Sequence, residues 1–302
     1  MKAVLFIAGP TASGKSRFAT DLAVQHSGEV INADALQVYS DLRVISARPT
    51  KDEMQGVPHH MFGHIDGAHR YSTGQWAREA VGVILDVLAR GKLPIVVGGT
   101  GLYFKALTDG LAEIPAVSSG GAQTLLDAEG IEGLRARAEV LDPIATQRVL
   151  GNDPQRLLRI VSVAEETATP LSEWQANTRP VIPRGYWRSC VLLPPRDVLY
   201  ERINQRFDVM LEEGGLAEVK ALVARGLAQD LPVMRAIGFK TIAAALRGEH
   251  SFETGVELAK RDTRRFAKRQ MTWFRGQAPD WPQIKNRADK EAFEENISQI
   301  SI

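Results

Sequence analysis

Cysteine is nearly absent from this chain. Cys190 stands alone in 302 residues, so no intrachain disulfide can form and no thiolate metal cluster can be built. A lone thiol suits a reducing cytosol. Long apolar runs are missing as well. No stretch approaches the roughly 18 uninterrupted apolar residues of a spanning helix, so no membrane partner is expected. The N-terminus carries one Lys and a short apolar run, without the longer apolar region and cleavage site of a secretory signal. A cytoplasmic location follows. Charge of one sign is not in excess either: 37 basic residues face 36 acidic ones, a net +1. Bulk charge therefore argues neither for nor against a nucleic-acid partner. There is no internal repeat and no low-complexity tract. With 44% hydrophobic and 24% charged residues, an ordinary globular protein of one large or two modest domains remains.

What is present begins at the N-terminus. Gly9-Pro10-Thr11-Ala12-Ser13-Gly14-Lys15-Ser16 fits the phosphate-binding pattern G-x-x-x-x-G-K-[ST]. Val4 to Ala8 before it reads as a buried strand. Arg17 to Ala23 after it has apolar residues at helical spacing. In such a loop the backbone N–H groups and the helix N-terminus face phosphate oxygens. Lys15 adds a point charge, and the Ser16 hydroxyl can sit on Mg²⁺. The loop predicts a bound di- or triphosphate, without saying whether that phosphate is transferred, hydrolysed or expelled.

Further on, Glu29 to Asp34 reads as a second strand ending in a carboxylate. Ala80 to Arg90 reads as a helix capped by Gly91, and Leu93 to Val97 as a third strand entering Gly98-Gly99-Thr100-Gly101. Strands alternating with helices predict an α/β fold with a parallel sheet, its ligands outside the C-terminal strand ends. Pro115 to Gly121 reads as a linker, followed by helical patterns over Leu125–Val140 and Gln155–Thr167. Ser189 to Leu193 resembles a strand rejoining the sheet. The division expected is a catalytic core of 1–111 with 186–302, and a helical insertion over 112–185. Leu199–Arg225 and Phe252–Phe274 read as long helices.

Several residues have two readings. Asp34 can be a general base, can hold Mg²⁺ through water, or can cap a helix. The glycine turn at Thr100 is either a site element or a plain connection. His59, His60, His64 and His69 crowd one segment, but neither the spacing nor the partners fit zinc, and loop hydrogen bonding is preferred. Arg196 and Arg202, with Arg206 four residues further on, could grip a diphosphate, or pair with acids on a solvated face. Lys260 to Arg275 holds seven cations against one acid, with Phe266, Trp273 and Phe274 interleaved. That pattern favours a polyanion over a merely solvated helix. Gln155-Arg156-Leu157-Leu158-Arg159 is a shorter basic helix start.

Together these segments resemble the bacterial tRNA isopentenyl transferases. The resemblance is carried by Gly9–Ser16, Asn32–Tyr39, Ala47–Thr50, Val57–His60, Gly98–Phe104, Asn152–Arg159, Arg235–Phe239 and Thr263–Arg275, in family order over nearly the whole chain. It implies a P-loop NTPase-like core with an inserted helical domain. It implies dimethylallyl transfer from dimethylallyl diphosphate to the exocyclic amine of the adenosine just 3′ of the anticodon. The catalytic set implied is Asp34 as general base with Thr11, Thr100 and Arg202. Gly9, Pro10, Thr11, Ala12, Ser13, Gly14, Lys15, Ser16 and Arg202 would hold diphosphate, with Mg²⁺ on Ser16. The tRNA anticodon stem-loop would meet Asp34, Ala35, Leu36, Gln37, Thr100, Gln155, Arg156, Leu157, Leu158, Arg159, Arg196, Arg235, Lys240, Arg265 and Arg269. The chain is expected to act as a monomer. Its departures from the family are a 115–123 segment without the usual acids and arginine, and the order Arg196-Asp197. A small-molecule P-loop kinase, a prenyltransferase of free adenine nucleotide and a non-enzymatic RNA-binding module are the rivals. None of them explains the loop, Asp34 and the basic helix together.

Overall fold

The strands carry almost nothing but buried side chains, which is the signature of a parallel sheet covered on both faces. A computed structural model describes residues 3–298. It contains β1 (Val4–Ala8), α1 (Lys15–Gln25), β2 (Gly28–Asn32), β3 (His59–His60), α2 (Thr73–Ala89), β4 (Leu93–Gly98) and α3 (Gly101–Thr108). Next come α4 (Gly120–Leu141), α5 (Pro143–Gln147), α6 (Pro154–Thr167) and α7 (Leu171–Ala176). The chain continues with β5 (Trp187–Leu192), α8 (Arg196–Met210), α9 (Leu216–Ala224), α10 (Phe239–Leu246), α11 (Phe252–Gln277), β6 (Gln283–Ile284) and α12 (Arg287–Ser298). Two compact units result: Met1–Thr108 with Ile182–Ile302, and Asp109–Val181. These boundaries lie three to four residues before those expected at 111/112 and 185/186, because α3 ends at Thr108 and the strand approach begins at Ile182.

In the larger unit six strands run parallel in the order β3-β2-β4-β1-β5-β6. Register aligns the strand ends: Ala8 faces Gly98, and Asn32 faces Val97. The loops after β1, β2 and β4 therefore leave the sheet side by side. Alternation sorts the core. Leu5, Ile7, Val30, Ile95 and Val97 pack with Phe18 and Leu22 of α1. Phe6 points the other way, into a ring cluster with Phe104, Trp187 and Trp281. A capping box at Ser72 and Gln75 starts α2. Its Trp76 stacks on Tyr103 of α3, with ring centres 4.1 Å apart.

Expected elements are mostly present, with shifted or broken edges. β2 ends at Asn32, so Asp34 stands two residues beyond it. The long helix expected over 199–225 is two helices, α8 and α9. They are separated by a wide turn at Leu211–Gly215, where Gly214 has φ 105°. In the smaller unit α4 starts at Gly120, inside the expected linker, and kinks at Gly130. That unit has its own core, in which Leu134, Leu157, Ile160, Val161 and Val163 are packed together. No described helix is long and apolar enough to cross a membrane.

Candidate active site

The Gly9–Ser16 loop leaves β1 and enters α1, with Lys15 and Ser16 as the first helical residues. Lys15 Nζ donates to the Pro10 carbonyl at 3.2 Å. Burial lowers its pKa to about 8, against the pull of Asp34 and with the push of Arg206. Ser13 Oγ is buried and finds no partner among the described residues. A cation short of counter-charge and an orphaned hydroxyl in one glycine loop are what a bound diphosphate would satisfy.

The chain after β2 supplies the carboxylate. Asn32 is fully buried, accepts the Asp34 N–H at 2.9 Å, and donates to the carbonyls of Asp34 and Met61. Asp34 Oδ1 then accepts the Leu36 N–H at 3.0 Å; residues 35–38 form a turn and no helix starts there, so the carboxylate steadies its own loop and caps no helix. The other oxygen has no hydrogen-bond partner among the described residues. Both Lys15 and Arg206 feel this carboxylate, as does the Tyr103 hydroxyl, which burial pushes well above its ordinary range.

The glycine turn after β4 closes the third side. Thr100 N–H donates to the Ala33 carbonyl at 3.2 Å, and Thr100 Oγ1 accepts the Ala35 N–H at 3.0 Å. The turn thereby ties β4 to the Asp34 chain. A Cβ at Gly99 would displace Gln270 Nε2 from its present place.

Two arginines of α8 bear on the expected diphosphate grip. Arg202 is exposed, and no hydrogen bond or ion pair joins it to the loop among the described residues. Arg206, one turn further along α8, reaches in and donates to Thr11 Oγ1. Leu199, Ile203, Phe207 and Met210 form the buried stripe of α8. This stripe decides which turn stands level with the loop. Two residues had no role in the sequence reading: Asn32, and Gln270, which accepts the Thr11 N–H and donates to Gly99 O, both at 2.9 Å. A neutral amide among cations carries no charge signal, so only the tertiary contacts reveal it.

The expected tRNA contacts divide. Leu157 is corrected outright. It is 0% exposed, in the core of the smaller unit, since helical periodicity turns it inward while Gln155, Arg156 and Arg159 stay exposed. Leu158 packs partly against the same core. Gln37 spends its Nε2 on the Ser46 and Ala47 carbonyls, each at 2.9 Å, holding its own loop. Ala35 and Leu36 are half-buried beside Asp34. Arg196 opens α8 with its guanidinium over Tyr200, 4.9 Å from the ring centre. Arg235 is exposed, and Lys240 lines a cavity of about 370 Å³ with Met234, Phe239, Arg247 and Glu249. On α11, Arg265 and Arg269 are exposed, whereas Lys260 pairs with Asp208 at 2.7 Å and Arg264 donates to Asn204 at 2.5 Å. The histidines have separate duties: His59 meets the Val57 carbonyl, His60 the buried Glu29, and His64 Glu79.

Known proteins are similar to this chain in sequence and fold. The family model described as IPP transferase matches residues 37–277, and that described as isopentenyl transferase matches 2–62. A tRNA dimethylallyltransferase of Maricaulis maris is 51% identical over 99% of this chain and 98% of its own. One of Hyphomonas neptunium is 49% identical over 94% and 91%. The crystal structure of a full-length tRNA isopentenylpyrophosphate transferase from Bacillus halodurans superposes with a TM-score of 0.69 and 31% identity, covering 99% of this chain and 96% of that one. A eukaryotic dimethylallyltransferase acting on tRNA gives 0.81 and 27%, covering 100% and 81%. With a family model matching most of its length and a relative 51% identical over nearly the whole chain, this chain belongs to the IPP transferase family of prenyltransferases.

Proposed function

We propose that this chain transfers the dimethylallyl group of dimethylallyl diphosphate to the N6 amine of the adenosine at tRNA position 37, 3′-adjacent to the anticodon, releasing diphosphate. The observation that carries this reading is the convergence of Lys15, Arg206 and Asp34 at the C-terminal end of the sheet. Two cations beside a glycine loop suit a diphosphate, and a carboxylate with a free oxygen suits a proton leaving nitrogen. The tRNA relatives and the exposed cations of α11 support a polyanionic acceptor. The acceptor region is the anticodon stem-loop, and the enzyme acts as a cytoplasmic monomer.

The target base leaves its stack to reach the site, at a cost of a few kcal/mol. Its N6 attacks the first carbon of the donor as the carbon–oxygen bond to diphosphate breaks. The proton from N6 passes to the free oxygen of Asp34. Negative charge growing on the leaving diphosphate is met by the loop N–H groups, Lys15 and Arg206. Such preorganised electrostatics is commonly the largest catalytic term. Mg²⁺ fits the same site. Ser16 offers a half-buried hydroxyl without a hydrogen-bond partner among the described residues, a hard oxygen of the type Mg²⁺ takes together with substrate phosphate and water. Bound there, the ion would supply further charge neutralisation of the diphosphate.

The reading is tested by nucleoside mass spectrometry. Unmodified tRNA, the protein, Mg²⁺ and dimethylallyl diphosphate should yield an adenosine heavier by one dimethylallyl group. An unchanged nucleoside profile, with ATP consumed on a small acceptor, would return the chain to the kinases. Replacing Asp34 by Ala should lower the single-turnover rate by about 10²–10⁴ with tRNA affinity close to normal. An unchanged rate would remove Asp34 from the chemistry.

A further inference from the structure

Gln270 lies on α11 beside exposed Lys268 and Arg269, yet its own side chain is turned inward and is 6% exposed. Both ends of its amide are used: Oε1 accepts from Thr11 N–H and Nε2 donates to Gly99 O. These partners dictate the amide's orientation, since an N–H must meet oxygen and a carbonyl must meet nitrogen. Few side chains could replace it. The group must offer one donor and one acceptor at its tip, without charge, at this length. Lys and Arg cannot accept, ionised Glu cannot donate, and Met or Leu can do neither.

What the amide joins is specific. Thr11 belongs to the loop that cradles the donor, and its hydroxyl is already held by Arg206. Gly99 precedes Thr100, whose hydroxyl holds the Ala35 N–H and so the chain bearing Asp34. Both joined segments are far away in sequence, 259 and 171 residues from Gln270. We propose that Gln270 is a positioning residue for prenyl transfer: its amide sets the donor loop against the turn that holds the Asp34 chain. The inference rests on the reaction proposed above. Gln270 touches neither the diphosphate-gripping cations nor the exposed face of α11. Its loss should therefore disturb alignment of the reacting atoms more than affinity for either substrate.

The test uses the full chain with dimethylallyl diphosphate and an anticodon stem-loop, in single turnover with both substrates saturating. Gln270→Met keeps the length and removes both hydrogen bonds. Its rate constant should fall by about 10–100-fold, with dissociation constants for donor and stem-loop within about threefold of wild type. Gln270→Glu is the second variant. When protonated, its carboxyl accepts from Thr11 N–H and donates to Gly99 O, and burial favours that neutral form. The ratio of its rate to that of wild type at the same pH should therefore rise as pH falls from about 8.5 to about 6. Taking the ratio cancels the titration of Lys15, which both proteins share beside the charges of Arg206 and Asp34. A Met variant within about threefold of the wild-type rate would overturn the proposal. So would a loss confined to affinity, or a flat Glu ratio. Should the Met variant not fold, the Glu ratio decides alone. A wild-type protein that makes no prenylated adenosine would instead refute the reaction, leaving a different result from active wild type with indifferent variants.

Discussion

Because burial holds the Lys15 ammonium near a pKa of about 8, against an ordinary 10.5, the free enzyme starts to lose this charge just above neutrality. A bound diphosphate favours the charged form, so binding should take up a proton. Affinity for dimethylallyl diphosphate without tRNA should weaken by up to about tenfold per pH unit above 8. Titration calorimetry between about pH 7 and 9 would measure this. Lys15→Arg should flatten the profile, because a guanidinium keeps its charge, and a profile unaltered by that change would exonerate Lys15. For folding the sign is opposite. The folded pKa lies below the unfolded one, so the unfolded chain binds more protons between about 8 and 10.5, and this group's contribution to stability rises with pH across that window. Lys15, Ser13 and Asp34 could be read from sequence because each is fixed by its neighbours in the chain, a glycine loop or a strand end. Gln270 could not, and Arg206 was legible only as one of three arginines along its helix. Each arrives from roughly two hundred residues away, and which turn of its helix faces the loop is set by packing. The resemblance implies Arg202 at the diphosphate, and the guanidinium that meets Thr11 is that of Arg206, about 6 Å further along the helix axis.

The helix α11 has two faces that sequence alone blends into one basic stretch. Its inner face packs Ala267, Gln270, Met271 and Phe274. Lys260 and Arg264 bend toward α8, where they meet Asp208 and Asn204. Arg265, Lys268 and Arg269 are left exposed. Replacing Arg265 and Arg269 by Ala should weaken tRNA binding and make its dependence on log salt shallower by about 1.4–1.8, the value of two phosphate contacts. An unaltered slope would show that those arginines meet no phosphate. The extent of α11 was legible because 26 residues of 3.6-fold periodicity leave little ambiguity. The strands β3 and β6 are two residues each, too short for any periodicity to register. The same periodicity turns Leu157 into the core of its unit, although it sits inside a segment that resembles a tRNA-contacting one.

At the scale of the whole molecule, a net charge of +1 leaves no monopole to attract an RNA over long distances. Affinity has to come from local cation clusters, and these lie in different compact units. One is the exposed face of α11. The other is the start of α6, where Arg156 and Arg159 are exposed around the Asp153 cap. Clusters carried by separate compact units should act independently, so their effects on binding free energy should add to within about 0.5 kcal/mol. The test is a four-protein comparison of stem-loop affinity at one salt concentration: wild type, R156A with R159A, R265A with R269A, and all four changes together. The quadruple variant should lose the product of the two fold-losses, to within about twofold. If it binds no worse than the weaker double variant, one cluster does not touch the RNA, and the smaller unit's basic helix start would revert to a solvated surface. If it loses far more than the product, the two clusters act through a shared conformational change, and the independence assigned here to the two units would fail.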